Sequence, residues 1–270
     1  MAGRTIISEF RTTDSADNAD HLVRYLEYVD SLPEIRQIKE RSYRYLGLKD
    51  GDVVLDAGCG PGYDVVRMAA MAGAGTVVGI DSSVPMIEIA KLKAAESGLP
   101  VSFRVGNANR IEFPDSTFDV VREERTLQIL DTPELALDEL VRVLRPGGRI
   151  VAIEPDWETF VVDPGDRYFS RKFFRFCCDQ FPDGSTGRKL YRYFHDRSLE
   201  EVEVHAEPLV LHDPDLFWQI MNVGQFLTAA LEQEILQNEE ADCWCQELQS
   251  AGNKGRFTFA GMIFTVSGLK

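Results

Sequence analysis

The chain has 270 residues, 44% of them hydrophobic and 27% charged, the balance of an ordinary globular protein with ample apolar material for a core. Its 44 acidic residues against 29 basic ones leave a formal net charge of −15. A nucleic-acid partner asks for a basic footprint, so DNA, RNA and ribosomal substrates are not expected.

In chain order, the first periodic stretch lies at residues 19–46. Leu22, Tyr25, Leu26 and Val29 fall at helical spacing, and Ser31-Leu-Pro-Glu34 has the form of a capping box that opens a second helix. Tyr25, Tyr28 and Arg41 are read there either as packing residues or as contacts to a ligand. Next, Val53-Val54-Leu55 ends at Asp56 and breaks into Gly58, Gly60 and Gly62. A helical pattern follows (Val65, Val66, Met68, Ala69), and a second apolar run, Val77 to Ile80, ends at Asp81, 25 residues after Asp56. This is strand, glycine turn, helix and strand. It places a nucleoside at the carboxyl ends of two parallel strands, with its ribose hydroxyls on the second acid. A dinucleotide fingerprint needs a glycine five positions after the first, and that position is Tyr63. Alternate glycines instead open a wide turn with bared backbone, and Asp56 suits a positively charged ligand group better than a pyrophosphate.

With these residues the chain resembles the class I S-adenosylmethionine-dependent methyltransferases, whose first motif reads like Leu55-Asp56-Ala57-Gly58-Cys59-Gly60-Pro61-Gly62. The resemblance covers about residues 34–154 and is closest to the ubiquinone/menaquinone-type and natural-product methyltransferases. It implies that Asp56, Gly58, Gly60, Gly62, Asp81, Ser82 and Met86 belong to the cofactor site. Gly106-Asn107-Ala108, after the short strand Val101 to Val105, looks like the family's adenine-reading segment. The Asn107 carbonyl can accept from the adenine amino group. Phe118 to Val121 is a strand, and Glu123, Glu124 and Arg125 follow it. The resemblance puts Glu123 beside the cofactor and Glu124 and Arg125 beside the substrate. Asp131-Thr132-Pro133-Glu134 opens a helix that ends at Arg145-Pro146-Gly147-Gly148, before the strand Ile150 to Ile153.

Beyond that core the chain holds two further added segments. Residues 155–186 contain Asp156 and Trp157, both assigned to the substrate pocket, and a helix at Arg167 to Gln180. A core helix from Gly187 and a strand from Val202 to Leu211 come next. Residues 213–250 are a helical excursion, and Phe257 to Ser267 returns as the last, antiparallel strand. The fold expected is therefore α/β: a doubly wound, Rossmann-like sheet of seven strands in one domain spanning residues 1–270. Residues 19–46 lie over the cofactor mouth, and the segments 155–186 and 213–250 form a helical cap over an apolar pocket rich in Phe169, Phe173, Trp218, Met221 and Phe226. Most of those aromatics are expected to pack structurally.

The five cysteines show no paired Cys-x-x-Cys spacing, so no metal is expected. No run of 18 apolar residues occurs and Met1 to Phe10 has no signal-like apolar region, so a cytoplasmic protein without membrane contact is expected. Among the histidines, His205 reads as a strand residue and His195 as a dipole-favoured helix end, and His21 is the least suited. His212 is the candidate general base. The function expected is methyl transfer from S-adenosylmethionine, with S-adenosylhomocysteine as product, to a small-molecule acceptor of natural-product or secondary-metabolite type. A homodimer is one admissible assembly. The alternative is a protein of the same fold that keeps the cofactor as a structural element and catalyses a non-methylating cyclisation, or only binds.

Overall fold

The apolar runs become strands of one sheet in the computed structural model, which describes residues 5–11, 16–73, 75–95 and 97–270. β1 (Val53–Ala57), β2 (Thr76–Asp81), β3 (Val101–Val105), β4 (Phe118–Glu124) and β5 (Leu144–Asp163) pair in parallel. β7 (Thr258–Leu269) enters antiparallel between β5 and β6 (Glu200–Leu211). The order is β3-β2-β1-β4-β5-β7-β6.

Alternation along the strands divides the interior in two. Val54, Val77, Val120 and Val151 face α3 (Pro33–Leu46), α4 (Tyr63–Met71) and α5 (Val84–Ala95). Their neighbours Leu55, Val78, Val121 and Ala152 face α6 (Pro133–Val143) and α8 (Thr186–His195). Both faces of each strand are buried, which is why the sequence shows continuous apolar runs here rather than alternation.

A third core lies beyond this frame. The strand expected to end at Ile153 runs on to Asp163, because β7 pairs with it past the polar stretch Glu154 to Thr159, where the register breaks between Asp156 and Val161. Phe160, Leu209, Leu211 and Phe259 sit on the extension. Helices α1 (Ile6–Phe10), α2 (Ala16–Ser31), α7 (Arg167–Asp179), α9 (Pro214–Ile220), α10 (Val223–Glu232) and α11 (Asn238–Asn253) bury them, together with Ile35 and Ile38 of α3 and Met86 of α5. Segment 155–186 is thus part strand and part helix.

Two helix starts differ from the sequence reading. Ser31 ends α2, its hydroxyl donating to the Tyr28 carbonyl at 2.7 Å, and no capping box forms. Leu32 is the N-cap of α3, held extended by the proline that follows. At α6 the N-cap is Thr132. Asp131 pairs instead with Arg11, at 2.6 Å, which ties the end of α1 to the body. Among the described residues no helix is long and apolar enough to cross a membrane, and all five cysteines are free.

Trp244 of α11 organises the third core. It is fully buried, its ring lies 5.2 Å from both Phe169 and Phe173, and its Nε1 donates to Ser170 Oγ at 2.9 Å. Trp244→Ala should cost about 3–5 kcal/mol, read as a lower urea midpoint, because the cavity left among rigid helices cannot collapse and Ser170 loses its donor.

Candidate active site

At the carboxyl ends of β1 and β4, where the strand order reverses, the structure encloses a cavity of about 660 Å³. The glycine turn forms its floor, and each glycine serves a different neighbour. A Cβ on Gly58 (φ +76°) would come within 2.0 Å of Thr126 Oγ1, and one on Gly62 (φ +79°) within 2.7 Å of Phe103. At Gly60 (φ +50°) the nearest atom would be Leu26 at 3.7 Å, so Gly60 is the position whose bared backbone faces the cavity. Gly62 does not line the cavity; its place is the contact with β3.

Asp81 clamps this floor. Its Oδ2 accepts the Gly60 N–H and its Oδ1 the Ser83 N–H, both at 2.9 Å. Burial raises its carboxyl above the ordinary range, against the lowering by those two bonds. Each oxygen keeps a lone pair for a ligand donor, which fits a vicinal diol. Ser82, Met86, Asn107 and Ala108 line the cavity beside it. Asn107 Oδ1 already accepts the Asn109 N–H at 2.8 Å, so its remaining lone pair and its amino group are what it offers a base edge.

Under the turn lies an ion lattice that sequence reading missed. Asp56 and Arg122 are cross-strand partners of β1 and β4, and the guanidinium Nη1 meets Asp56 Oδ1 at 2.9 Å. Arg122 also touches Glu124 and reaches Asp64 at 3.4 Å. Lys39 bridges Asp64 and Asp30 at 2.8 and 3.0 Å, and Arg67 bridges the same two acids. Although burial opposes it, Lys39 and then Arg122 hold the Asp64 carboxyl far below its usual range. Asp56 is the exception: burial outweighs Arg122 and raises it to about 6. A buried carboxyl with one cationic neighbour suits an incoming ammonium, such as the amino-acid end of the expected cofactor. The signal in the sequence was Arg122 itself, a charge inside a strand buried on both faces.

Three more assignments from sequence fall outside the cavity. Glu123 points to the opposite face of β4 from Arg122 and Glu124, as strand alternation requires; Arg122, Glu124 and Arg125 line the cavity and Glu123 does not. Asp156 turns across the sheet to Arg188 of α8, with Nη2 to Oδ1 at 2.7 Å, whereas its neighbour Trp157 does line the cavity. His212 is exposed, and its Nδ1 lies 3.2 Å from the Phe257 carbonyl and from Thr258 Oγ1. It follows β6, the outer strand beyond β7 and β5, and that distance from the strand-order reversal removes it from reach. The other histidines pair with Glu9 (His21), pack on Tyr191 (His195) or stack on Tyr45 (His205). Tyr25 lines the cavity, while Arg41 pairs with Glu207 at 3.2 Å. Ile6, Ile7 and Phe10 of α1 also line it, and no periodic pattern in so short a helix announced them.

Glu123 has a different partner. It stands diagonally beside Glu154 of β5, and both are fully buried. Glu123 Oε2 accepts the Thr126 N–H at 3.4 Å and Glu154 Oε1 the Gln128 N–H at 3.2 Å. Their remaining oxygens, Glu123 Oε1 and Glu154 Oε2, have no hydrogen-bond partner among the described residues. Burial pushes Glu123 up to about 8, and burial with the repulsion of Glu123 pushes Glu154 well above the usual carboxylate range. Together they hold the backbone of Thr126 and Gln128, two residues of the cavity wall. Because the folded form binds the proton more tightly than the unfolded chain, the stabilisation is complete below about pH 4.5 and is lost as pH rises towards about 8. The thermal midpoint should therefore fall across that window, by at most about 1.4 kcal/mol of stability per pH unit and proton. Glu123→Gln, which keeps a neutral neighbour for Glu154, should flatten the fall; an unchanged slope would show that Glu123 is not its source.

The methyltransferase domain family matches residues 48–195. An uncharacterised 37.1 kDa protein of a Streptomyces fradiae transposon is 32% identical over 246 residues, covering 90% of this chain and 70% of that protein. A demethylmenaquinone methyltransferase of Lactiplantibacillus plantarum is 31% identical over 173 residues, covering 61% of this chain and 73% of its own. The part shared with several other methyltransferases is about half their length or less. Among solved structures, Haemonchus contortus phosphoethanolamine N-methyltransferase 2 in complex with S-adenosyl-L-methionine aligns with a TM-score of 0.62 at 18% identity, over 97% of this chain and 60% of that one. A likeness at that identity speaks for the fold alone. The acid-ended strands, the glycine turn and the matched core agree: the chain belongs to the class I S-adenosylmethionine-dependent methyltransferases.

Proposed function

We propose that the protein transfers a methyl group from S-adenosylmethionine to a small, largely apolar acceptor of the quinone or natural-product kind. One observation carries this reading: a single cavity joins a polar floor suited to a nucleoside with an apolar wall supplied by the added segments. Phe10, Tyr25, Trp157, Ile220, Met221 and Phe226 form that wall. A volume of 660 Å³ lies within the usual range of about 300–1,000 Å³ for small-molecule sites. The name of the demethylmenaquinone relative points the same way.

When bound, the cofactor supplies a methyl group on an already activated sulfonium. The residues around it have to hold, align and keep out water. Asp81 would accept from the ribose hydroxyls, Asn107 and Ala108 would meet the base edge, and Asp56 would take the ammonium of the amino-acid end. The segments 19–46, 155–186 and 213–250 would close over the acceptor. Trp157 is fixed for this by its Nε1 bond to Gln128 Oε1 at 2.9 Å. No histidine lines the cavity among the described residues, which favours proximity over a dedicated base.

Asp81→Ala should weaken S-adenosylhomocysteine at least about 100-fold in calorimetry, since it removes two charge-assisted bonds of about 1.5–3 kcal/mol each. The melting transition should remain cooperative. Unchanged affinity would sink the cofactor placement. Transfer itself is tested by mass spectrometry of small molecules incubated with methyl-deuterated cofactor. One labelled methyl should appear in product for each S-adenosylhomocysteine formed, whereas product made with S-adenosylhomocysteine alone would establish the non-methylating alternative.

A further inference from the structure

Arg125 is the first residue past β4, and its backbone is left-handed (φ +55°), a conformation that costs a residue with a Cβ. Its N–H donates to the Ile153 carbonyl at 2.9 Å, so β5 holds the strained backbone in place. The side chain lines the cavity and is 31% accessible. Its Nε pairs with Glu124 Oε1 at 3.1 Å, while the Glu124 Oε2 atom is engaged by Arg122. The two terminal nitrogens, Nη1 and Nη2, have no hydrogen-bond partner among the described residues. Strain is stored here to aim an unfinished guanidinium into a cavity.

Arg125 stands at the edge of the ion lattice suited to the cofactor's amino-acid end. That end is served by Asp56, Asp64, Lys39 and Arg122, whose charges are paired among themselves. Arg125 joins that set at its edge, through Glu124, and is also close enough to Tyr25 to act on its phenol electrostatically. The Tyr25 hydroxyl is bonded to the Ile220 carbonyl at 2.8 Å, and its ring packs on Phe10 with centroids 6.3 Å apart. The neighbours on this side are therefore apolar or already satisfied. A planar fork of donors in such a wall matches a pair of oxygens or one delocalised oxyanion, and it remains undercompensated until one arrives.

We propose that Arg125 reads the acceptor, and that the acceptor carries an anionic oxygen, as a carboxylate, enolate or phenolate, on an apolar body. This rests on the reading of the cavity as the seat of a small apolar acceptor. The test is calorimetry on the protein saturated with S-adenosylhomocysteine, using matched pairs of probes: 2-naphthoate against 2-naphthamide, and geranate against geranamide. The acids should bind wild type about tenfold tighter than their amides or better, as a charge-assisted pair gives. Arg125→Met should bring each pair to within about twofold, and Arg125→Lys should keep part of the preference. S-adenosylhomocysteine itself should bind both variants within about threefold of wild type, since no cofactor contact is lost. Equal binding of acid and amide by wild type would overturn the proposal and leave the apolar acceptor standing. Binding of none of the four probes to a protein that still takes S-adenosylhomocysteine would overturn the acceptor reading as well. A preference that survives in Arg125→Met, or a tenfold loss of S-adenosylhomocysteine affinity in that variant, would also overturn it, the latter assigning the guanidinium to the cofactor.

Discussion

The contact between Asp56 and Arg122 across β1 and β4 is the constraint on which the site depends. Both are almost inaccessible to water, and they pair directly across the strands between which the sheet order reverses. Taking two charges out of water costs several kcal/mol each, and one contact at 2.9 Å does not return it. The rest of the lattice exists to complete the compensation. Glu124 and Asp64 converge on the same guanidinium, and Lys39 and Arg67 then balance Asp64 and Asp30. Removing one member would leave a buried charge uncompensated, at about 3–5 kcal/mol. Such a set contributes little net stability. What it supplies is a fixed arrangement: α2, α3 and α4 are tied by charge to the ends of β1 and β4, and the floor of the cavity cannot slide.

The same lattice explains why two adjacent glutamates differ so much. Alternation sends Glu124 to the face where cations wait and Glu123 to the face where they do not. Glu123 therefore has no counterion of its own, and burial makes it hold its proton. Two neighbouring residues of one type become a member of the ion lattice and a clamp on the backbone. Local sequence does not separate them; only the strand's facing does.

That distinction marks how far the sequence could be read. Asp56, the glycine turn, Asp81 and Asn107 form a local pattern, because a strand that ends in an acid before a turn needs only its own neighbours to be recognised. Both buried faces of the sheet were visible as apolar runs for the same reason. Arg122 was passed over because the strand was ended one residue before it, and its partners had no local signal, since Lys39, Asp64 and Asp30 come from three helices that only the tertiary fold assembles. His212 illustrates the opposite failure. Histidine chemistry made it attractive, and the position of β6 at the sheet edge, set by where the last strand inserts, was not written near it. Asp156 failed because β5 runs on in register past Ile153, and alternation with Ala152 and Glu154 turns it to the face of α8; where the strand would end was not written near it.

The insertion of β7 between β5 and β6 has a consequence for the order of assembly. Residues 53–124 contain four strands whose neighbours are all close in the chain, so the nucleoside half can assemble from a contiguous segment. β5 and β6 touch only through β7, and Asp163 meets Thr258 across nearly a hundred residues of intervening chain. Closing so long a loop is an entropic debt that contacts repay only when it is shut. Until then Phe160 and Leu209 lack Phe259, the residue that joins their strands into one apolar surface. A nascent chain therefore carries a cofactor cradle well before it has a place for an acceptor. The late step, with its aromatic surface still open, is where the chain most needs protection from its neighbours.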